Sequence, residues 1–388
     1  MSSRDDLLPV YVTDDEIFSE LCSCWCQKAA IGVDTEFIRT DTFYPRLGLL
    51  QVYDSEVTYL IDPLRIELWQ PFISLMVESD CVFVMHAASE DLTLFQHFFN
   101  AQPKQLFDTQ IAASYCGFGV NCSYQSLVKI LLTKTVSKEE TRSNWLQRPL
   151  TSAQCKYAAT DVLYLLKIQD LLSMKLMSLN RLEWVSLEFK SQLSVAADAE
   201  NSERWQYLYA SFKNAWTLKD YSLAFLQSLL LWRETIARAA NKPRGWILKD
   251  NEILSFVSAL ENHSTQSLHS CFTIEDFNDL PQRVKKAYGE NLVAWFNNNP
   301  PVIESIRRDE ILVPLTGNER RVLKICQKVI REIAEDLDID PSLISNKKQL
   351  SNFVRCHSSH NTEFWLKMLA DWRRNIIGSS LIEAISET

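Results

Sequence analysis

Four acidic residues and one tyrosine within the first 161 positions are of the types that hold divalent cations and steer water. They are Asp34 and Glu36 in Val33-Asp34-Thr35-Glu36-Phe37, Asp91 in His86-Ala87-Ala88-Ser89-Glu90-Asp91-Leu92, and Tyr157 with Asp161 in Tyr157-Ala158-Ala159-Thr160-Asp161. An all-oxygen donor set with no nearby Cys or His pair favours magnesium or manganese over zinc. The chemistry that uses such a set is in-line phosphoryl transfer, in which two ions about 3.5 to 4 Å apart clamp the attacking and leaving oxygens. With no cation bound the carboxylates repel one another, so the site is expected to take up protons or cations. A phenol with an ordinary pKa of about 10 is a poor base at neutral pH, which leaves it the task of orienting the attacking water.

Each of these side chains needs an element to position it. The apolar run Ala29-Ala30-Ile31-Gly32-Val33 reads as a buried strand ending in Asp34 and Glu36. Residues two apart on a strand share a face, so both carboxylates can meet one ion. The stretch from Ala153 to about Leu179 contains neither Gly nor Pro and reads as one helix, on which Tyr157 and Asp161, four apart, are neighbours. Asp91 follows the strand-like Cys81-Val82-Phe83-Val84-Met85 and opens the helical pattern Leu92, Leu94, Phe95, Phe98, Phe99, a strand-to-helix turn. Asp108, before Thr109-Gln110-Ile111-Ala112-Ala113, reads as a helix N-cap. His86 suits a structural place at a strand end as well as it suits substrate contact.

Taken singly these signals are weak, since acids after strands are common. Their order and setting carry more. Ile31 to Phe37, Thr42 to Val52, Leu60-Ile61-Asp62-Pro63-Leu64, His86 to Leu92, Leu106 to Gln110, Glu140-Thr141-Arg142-Ser143-Asn144-Trp145, Arg148-Pro149-Leu150 and Tyr157 to Asp161 cover most of residues 29 to 190. In them the chain resembles the 3'-to-5' exonucleases with four acidic residues and a tyrosine, and within these the bacterial ribonuclease D family. All five motif positions are kept. The resemblance implies that Asp34, Glu36 and Asp161 hold the ion that binds the nucleophilic water. It also implies that Asp34 bridges to a second ion, which Asp91 helps to hold, and that Tyr157 stands where a sister group has histidine.

Composition fits a multidomain protein of 388 residues, 46% hydrophobic. No apolar run approaches the roughly 18 to 20 residues of a membrane span, and Met1-Ser2-Ser3-Arg4-Asp5-Asp6 carries two acids where a signal peptide is basic. A cytoplasmic address is the expectation. The ten cysteines include no Cys-x-x-Cys, which points to free thiols. Cys22 and Cys26 would share a helical face that Cys24 does not, so these three read as core or surface thiols and not as a metal site.

The net charge of −9 is unevenly placed. Residues 1 to 190 hold 24 acids and 16 bases, and the remainder 25 and 24, so the acidity lies almost wholly in the part with the five motif residues. Between Arg204 and Lys249 eight bases face two acids, with Trp205, Tyr207, Tyr209, Trp216, Tyr221, Trp232 and Trp246 among them. Such a window suits phosphate contact with base stacking, although core aromatics with a solvated rim explain most of it. In Lys242-Pro243-Arg244-Gly245-Trp246, Pro and Gly mark an exposed turn, and Lys242 and Arg244 are the expected RNA contacts.

The strand-like segments 31 to 37, 47 to 53, 57 to 62 and 81 to 86 begin with a three-strand meander, and helical patterns follow to about 190. Helices dominate thereafter, interrupted at Asn297-Asn298-Asn299-Pro300-Pro301. Three units are expected: 1–190 as an α/β ribonuclease H-like catalytic domain, then 203–297 and 302–388 as two all-α domains. By resemblance the latter are of the HRDC type shared with some helicases, the second more divergent. The implied activity is metal-dependent 3'-5' exoribonuclease action with two Mg2+ or Mn2+ ions, on RNA with a single-stranded 3' end such as tRNA precursors and other small structured RNAs. The alternatives are a 3'-5' DNA exonuclease, because nothing in the motifs reads a 2'-hydroxyl, and a noncatalytic RNA-binding scaffold with an inert nuclease fold.

Overall fold

The computed structural model describes residues 8–136, 140, 143–261, 271–358, 361–369 and 371–386. The motif residues Thr141 and Arg142 and the N-terminal Met1 to Asp6 lie outside them. Six strands form one mixed sheet: β1 (Val10–Val12), β2 (Ala30–Ile38), β3 (Arg46–Tyr53), β4 (Thr58–Ile61), β5 (Val82–Met85) and β6 (Leu106–Asp108), in the order β1-β4-β3-β2-β5-β6. The expected meander is β2-β3-β4, which pairs antiparallel, while β1, β5 and β6 join in parallel. β1 and β6 were not expected, because three residues are too few to display a period of two. Central β2 and β3 read as nearly unbroken apolar runs because both faces are covered: Ile31, Val33, Leu49, Leu50 and Val52 are fully buried.

The helices of this part are α1 (Asp15–Trp25), α2 (Gln70–Glu78), α3 (Ser89–Phe99), α4 (Thr109–Tyr115), α5 (Tyr124–Leu132), α6 (Ser152–Leu163), α7 (Leu165–Ser178) and α8 (Leu182–Ala197). The single helix expected from Ala153 to Leu179 is thus two, broken at Tyr164. The cause comes from another element. The Tyr124 hydroxyl, at the start of α5, donates to the Thr160 carbonyl at 2.8 Å and accepts the Tyr164 N–H at 3.1 Å. It stands in the place of one i→i−4 backbone bond, the kind of insertion that kinks a helix.

The later helices are α9 (Ser202–Trp205), α10 (Asp220–Ala239), α11 (Arg244–Ile247), α12 (Asp250–Leu260), α13 (Gln282–Asn298), α14 (Gly317–Asp336), α15 (Pro341–Ile344), α16 (Lys347–Ser358), α17 (Thr362–Met368) and α18 (Asp371–Ser386). No helix among the described residues is long and apolar enough to cross a membrane.

The chain forms two compact units. One comprises residues up to Ile38, Arg46–Ala199 and Leu315–Thr388; the other comprises Arg39–Pro45 and Glu200–Pro314. In the first, the C-terminal helices are tied to the sheet part through α8 and α4. Trp372 stacks on Trp184 with ring centroids 4.6 Å apart. Arg373 pairs with Glu188 at 2.7 Å, and Arg181 donates to the carbonyls of Tyr115 and Leu337. In the second unit Phe225, Trp232, Phe256, Phe277 and Phe296 form the core. There the Arg238 guanidinium lies over the rings of Phe43 and Trp205, so the short segment 39–45 belongs to the helical unit.

Candidate active site

β2 carries Asp34 and Glu36 where it leaves the middle of the sheet, with Asp34 opposite Gln51 and Glu36 opposite Leu49 on β3. A register shift between Glu36 and Phe37 ends the regular pairing just beyond them, and such bulges re-aim neighbouring side chains. Asp91 sits in the first turn of α3, where its carboxylate accepts the hydroxyl of Thr35. Thr35 therefore links the strand holding two of the acids to the helix holding a third. Its role escaped the sequence reading because a threonine between two acids gives no sign of its partner.

Asp108 acts as the expected N-cap of α4, accepting Gln110 N–H at 2.8 Å. It also takes Ala87 N–H at 3.0 Å and Ala88 N–H at 2.8 Å. This second cap holds Ala87 in its left-handed conformation, φ 58°, and so shapes the turn that leads to Asp91. His86 stands beside it. Its Nδ1 meets the Thr109 hydroxyl at 2.8 Å, its ring packs edge-on to Tyr124, and burial pulls its pKa down.

α6 brings the remaining pair. Its buried face is Gln154, Ala158, Asp161 and Val162, spaced for one side of a helix. Asp161 is only 9% exposed, and the Tyr157 hydroxyl hydrogen-bonds its carboxylate. The backbone approach is close enough that a Cβ on Gly32 would stand 3.1 Å from the Val162 carbonyl and 3.2 Å from Leu165 Cβ. Glycine at 32 is what lets the broken helix sit against β2. Trp145 packs beside Tyr157, ring centroids 6.1 Å apart, and a Cβ on Gly48 would be 2.7 Å from the Trp145 side chain. Arg148 secures that segment, pairing with Asp62 at 2.6 and 2.7 Å and donating to the Gly48 carbonyl at 2.7 Å.

The four carboxylates sense one another. Burial, and then the charge of Asp161, holds the Asp34 pKa well above the carboxylate range, while burial and Asp34 do the same to Asp91. Glu36 is pushed up to about 10 by burial and by Asp34, Asp161 and Asp91. Asp161 rises to about 7 through burial, with the Tyr157 hydrogen bond pulling the other way. As placed, no three His, Cys, Asp or Glu side chains among the described residues close into a ready coordination set. The donor chemistry nevertheless fits divalent cations: four carboxylates, Asp91 and Asp161 buried and Asp34 and Glu36 half-buried, with raised proton affinity are groups that positive charge relieves. Gln51, opposite Asp34, is fully buried, and both atoms of its amide lack a hydrogen-bond partner among the described residues.

Of the two cations expected to touch RNA, Lys242 is exposed on its turn. Arg244 spends two nitrogens on the buried Glu234 and lies over the Phe43 ring, which leaves its side chain 42% exposed. Glu234 also receives Arg238, so both arginines serve to neutralise one buried acid. Trp246 is 58% exposed, unlike the core aromatics Tyr209 and Trp232 around it in sequence.

A mixed sheet whose central strand and two adjoining helices carry the four candidate acids, followed by helices, is a fold of the ribonuclease H-like class, and residues 9–177 match the family model for a 3'-5' exonuclease. Ribonuclease D of Pseudomonas paraeruginosa is 33% identical over 97% of this chain and 97% of that protein. Ribonuclease D of Musicola paradisiaca is 37% identical over 95% and 96%. The crystal structure of Escherichia coli RNase D, described as an exoribonuclease involved in structured RNA processing, superimposes with a TM-score of 0.81 at 26% identity, covering 98% of this chain and 99% of that one. The chain belongs to the ribonuclease D family and is a 3'-5' exoribonuclease.

Proposed function

We propose that this enzyme trims the single-stranded 3' ends of small structured RNAs, tRNA precursors among them, by releasing nucleoside monophosphates. Asp34, Glu36 and Asp161 would hold one divalent cation, and Asp34 with Asp91 a second, with Tyr157 beside them. The carrying observation is that β2, α3 and α6 supply four carboxylates placed so that burial raises the proton affinity of each, and neighbouring acids add to it for Asp34, Glu36 and Asp91. Bound Mg2+ or Mn2+, two per site, supplies positive charge that offsets the carboxylates and the charge developing on the phosphate in the transition state.

The protein's own groups do the positioning. The Thr35 hydroxyl fixes the Asp91 carboxylate, and Tyr157, packed on Trp145 with its hydroxyl on Asp161, would orient the attacking water. Lys242, with the nitrogen that Arg244 leaves over from Glu234, would contact phosphates. A reducing cytoplasmic address belongs to the same reading, supported by ten free thiols.

The test is a time course on matched 5'-labelled single-stranded RNA and DNA with magnesium, manganese or chelator, resolved to single nucleotides. The expected result is a metal-dependent ladder shortening from the 3' end of RNA. Equal loss of DNA would favour a general exonuclease, and RNA binding without turnover would favour a scaffold. A tRNA precursor with a 3' extension, trimmed to a discrete end point, tests the substrate.

A further inference from the structure

The exposed side of α14 carries a feature that the active site does not use. From Arg320 to Arg331 the sequence has five cations and no acid. Val322, Leu323, Cys326, Ile330 and Ala334 are buried on one face of the helix, while Arg320, Arg321, Lys324, Lys328 and Arg331 are exposed. Positions 320, 324, 328 and 331 follow steps of four, four and three, so they form one stripe. At 1.5 Å per residue it runs for about 16 Å.

The ordinary explanation of such a run is a solvated helix face. Solvated faces, however, gain from alternating signs four residues apart, and like charges at that spacing destabilise the helix. Here Arg320–Lys324 and Lys324–Lys328 are like pairs. The relief within the helix is a Lys328–Glu332 contact at 3.6 Å with both side chains more than half exposed, which is worth little in water. The stripe also stands in a chain of net charge −9.

At its C-terminal end the stripe opens into a groove of about 440 Å³ between α14 and the start of α15 and α16. Arg331, Lys347, Asn346 and Ser342 line it, and Arg331 and Lys347 form no ion pair among the described residues. The one acid on its wall, Asp340, is occupied as a cap, accepting the Ser342 N–H at 2.8 Å and hydroxyl at 2.5 Å. Ser345 lines the groove too; it is 5% exposed and its hydroxyl has no hydrogen-bond partner among the described residues. A linear row of cations ending in a cleft with donors to spare is complementary to a chain of phosphates.

We infer that the α14 stripe, from Arg320 to Arg331 and on to Lys347, is a second RNA-binding surface that grips the sugar-phosphate backbone of the substrate's body away from the reacting 3' end. The inference rests on the exoribonuclease activity for its choice of polyanion. It raises affinity for long or structured RNA and leaves the chemical step alone.

The test is the full-length variant Lys324→Gln/Lys328→Gln/Arg331→Gln, compared with the parent on two RNAs sharing one 3' tail: the bare short oligonucleotide, and the same tail on a hairpin body. The expected result is a KM raised about tenfold or more on the hairpin RNA, with kcat unchanged and the short oligonucleotide degraded at the parental rate. The salt dependence of log kcat/KM on the hairpin should become shallower by about 3, for three lost phosphate contacts on a duplex at roughly 0.9 each. Equal loss on both RNAs, or no change on either, overturns the inference. The charge-keeping Lys324→Arg/Lys328→Arg variant should behave as the parent, and if it shows the same defect the cause is packing and the inference fails. Degradation of the short RNA by the parent tests the proposed activity separately.

Discussion

At the site, the carboxylates cost the protein stability in the absence of cations, and the sign of that cost can be worked out. Their folded-state pKa values lie above the unfolded value of about 4, burial being the first cause for each. The folded protein therefore binds protons that the unfolded chain has already released. Stability from these groups is greatest at low pH and falls as pH rises through Asp161 at about 7 and on toward Glu36 at about 10. The melting temperature of chelator-treated protein is expected to drop from about pH 5 to about pH 9, and added magnesium or manganese to restore it most at the upper end. A flat profile would contradict the coupling. Asp34→Asn should lower turnover by about two to three orders of magnitude while raising the melting temperature of the metal-free protein at alkaline pH, which calorimetry and single-turnover assays would read together. Gln51→Leu is expected to separate the same two quantities. Removing a buried amide without partners stabilises the fold by up to about 1 to 3 kcal/mol, and a fall in kcat would assign the amide to the site; unaltered kcat would make it a core residue only. The acids were legible in the sequence through strand and helix spacing. Thr35 and Gln51 were not, because their partners come from Asp91 and from a cross-strand register that spacing along one strand does not contain.

Among the elements, the break between α6 and α7 decides where Asp161 lies. A stretch with neither Gly nor Pro reads as continuous, and only the Tyr124 hydroxyl, inserted from α5, interrupts it. Tyr124→Phe leaves the Thr160 carbonyl and the Tyr164 N–H without their bridge, a cost of about 1 to 3 kcal/mol. A displaced Asp161 should further lower kcat about 10- to 100-fold. Denaturant unfolding with steady-state kinetics checks both, and a variant with lowered stability but parental kcat would show that the kink does not position the acid. Asp108 makes the same point in the other direction. Its capping role was readable from the residues after it, whereas its hold on the turn before α3 needed the parallel pairing of β5 with β6.

For the molecule as a whole, the C-terminal helices share a compact unit with the sheet through Trp372, Arg373 and Arg181. Trp372→Ala removes a stacked, buried indole and should cost about 3 to 5 kcal/mol, felt by the exonuclease sheet and not by residues 315–388 alone. Hydrogen exchange that loosened only α14 to α18 would argue against one cooperative unit. The expected divisions at 203–297 and 302–388 came from composition, and a connector rich in Asn and Pro marks a break in helix without saying which surfaces meet on either side. The residues up to Pro314 group with α10 to α13 because Ile311 joins their core and the Arg307 N–H meets the Tyr209 hydroxyl at 2.7 Å. What the sequence by itself determined was the local frame of the candidate site: acids two apart on a strand, a tyrosine and an acid four apart on a helix, an aspartate at a helix start. Those follow from short-range periodicity, which any reader of the chain possesses. The tertiary structure alone decided the kink, the Thr35–Asp91 link, the diversion of Arg244 to Glu234 and the union of the last helices with the sheet, because each depends on contacts between residues far apart in the chain.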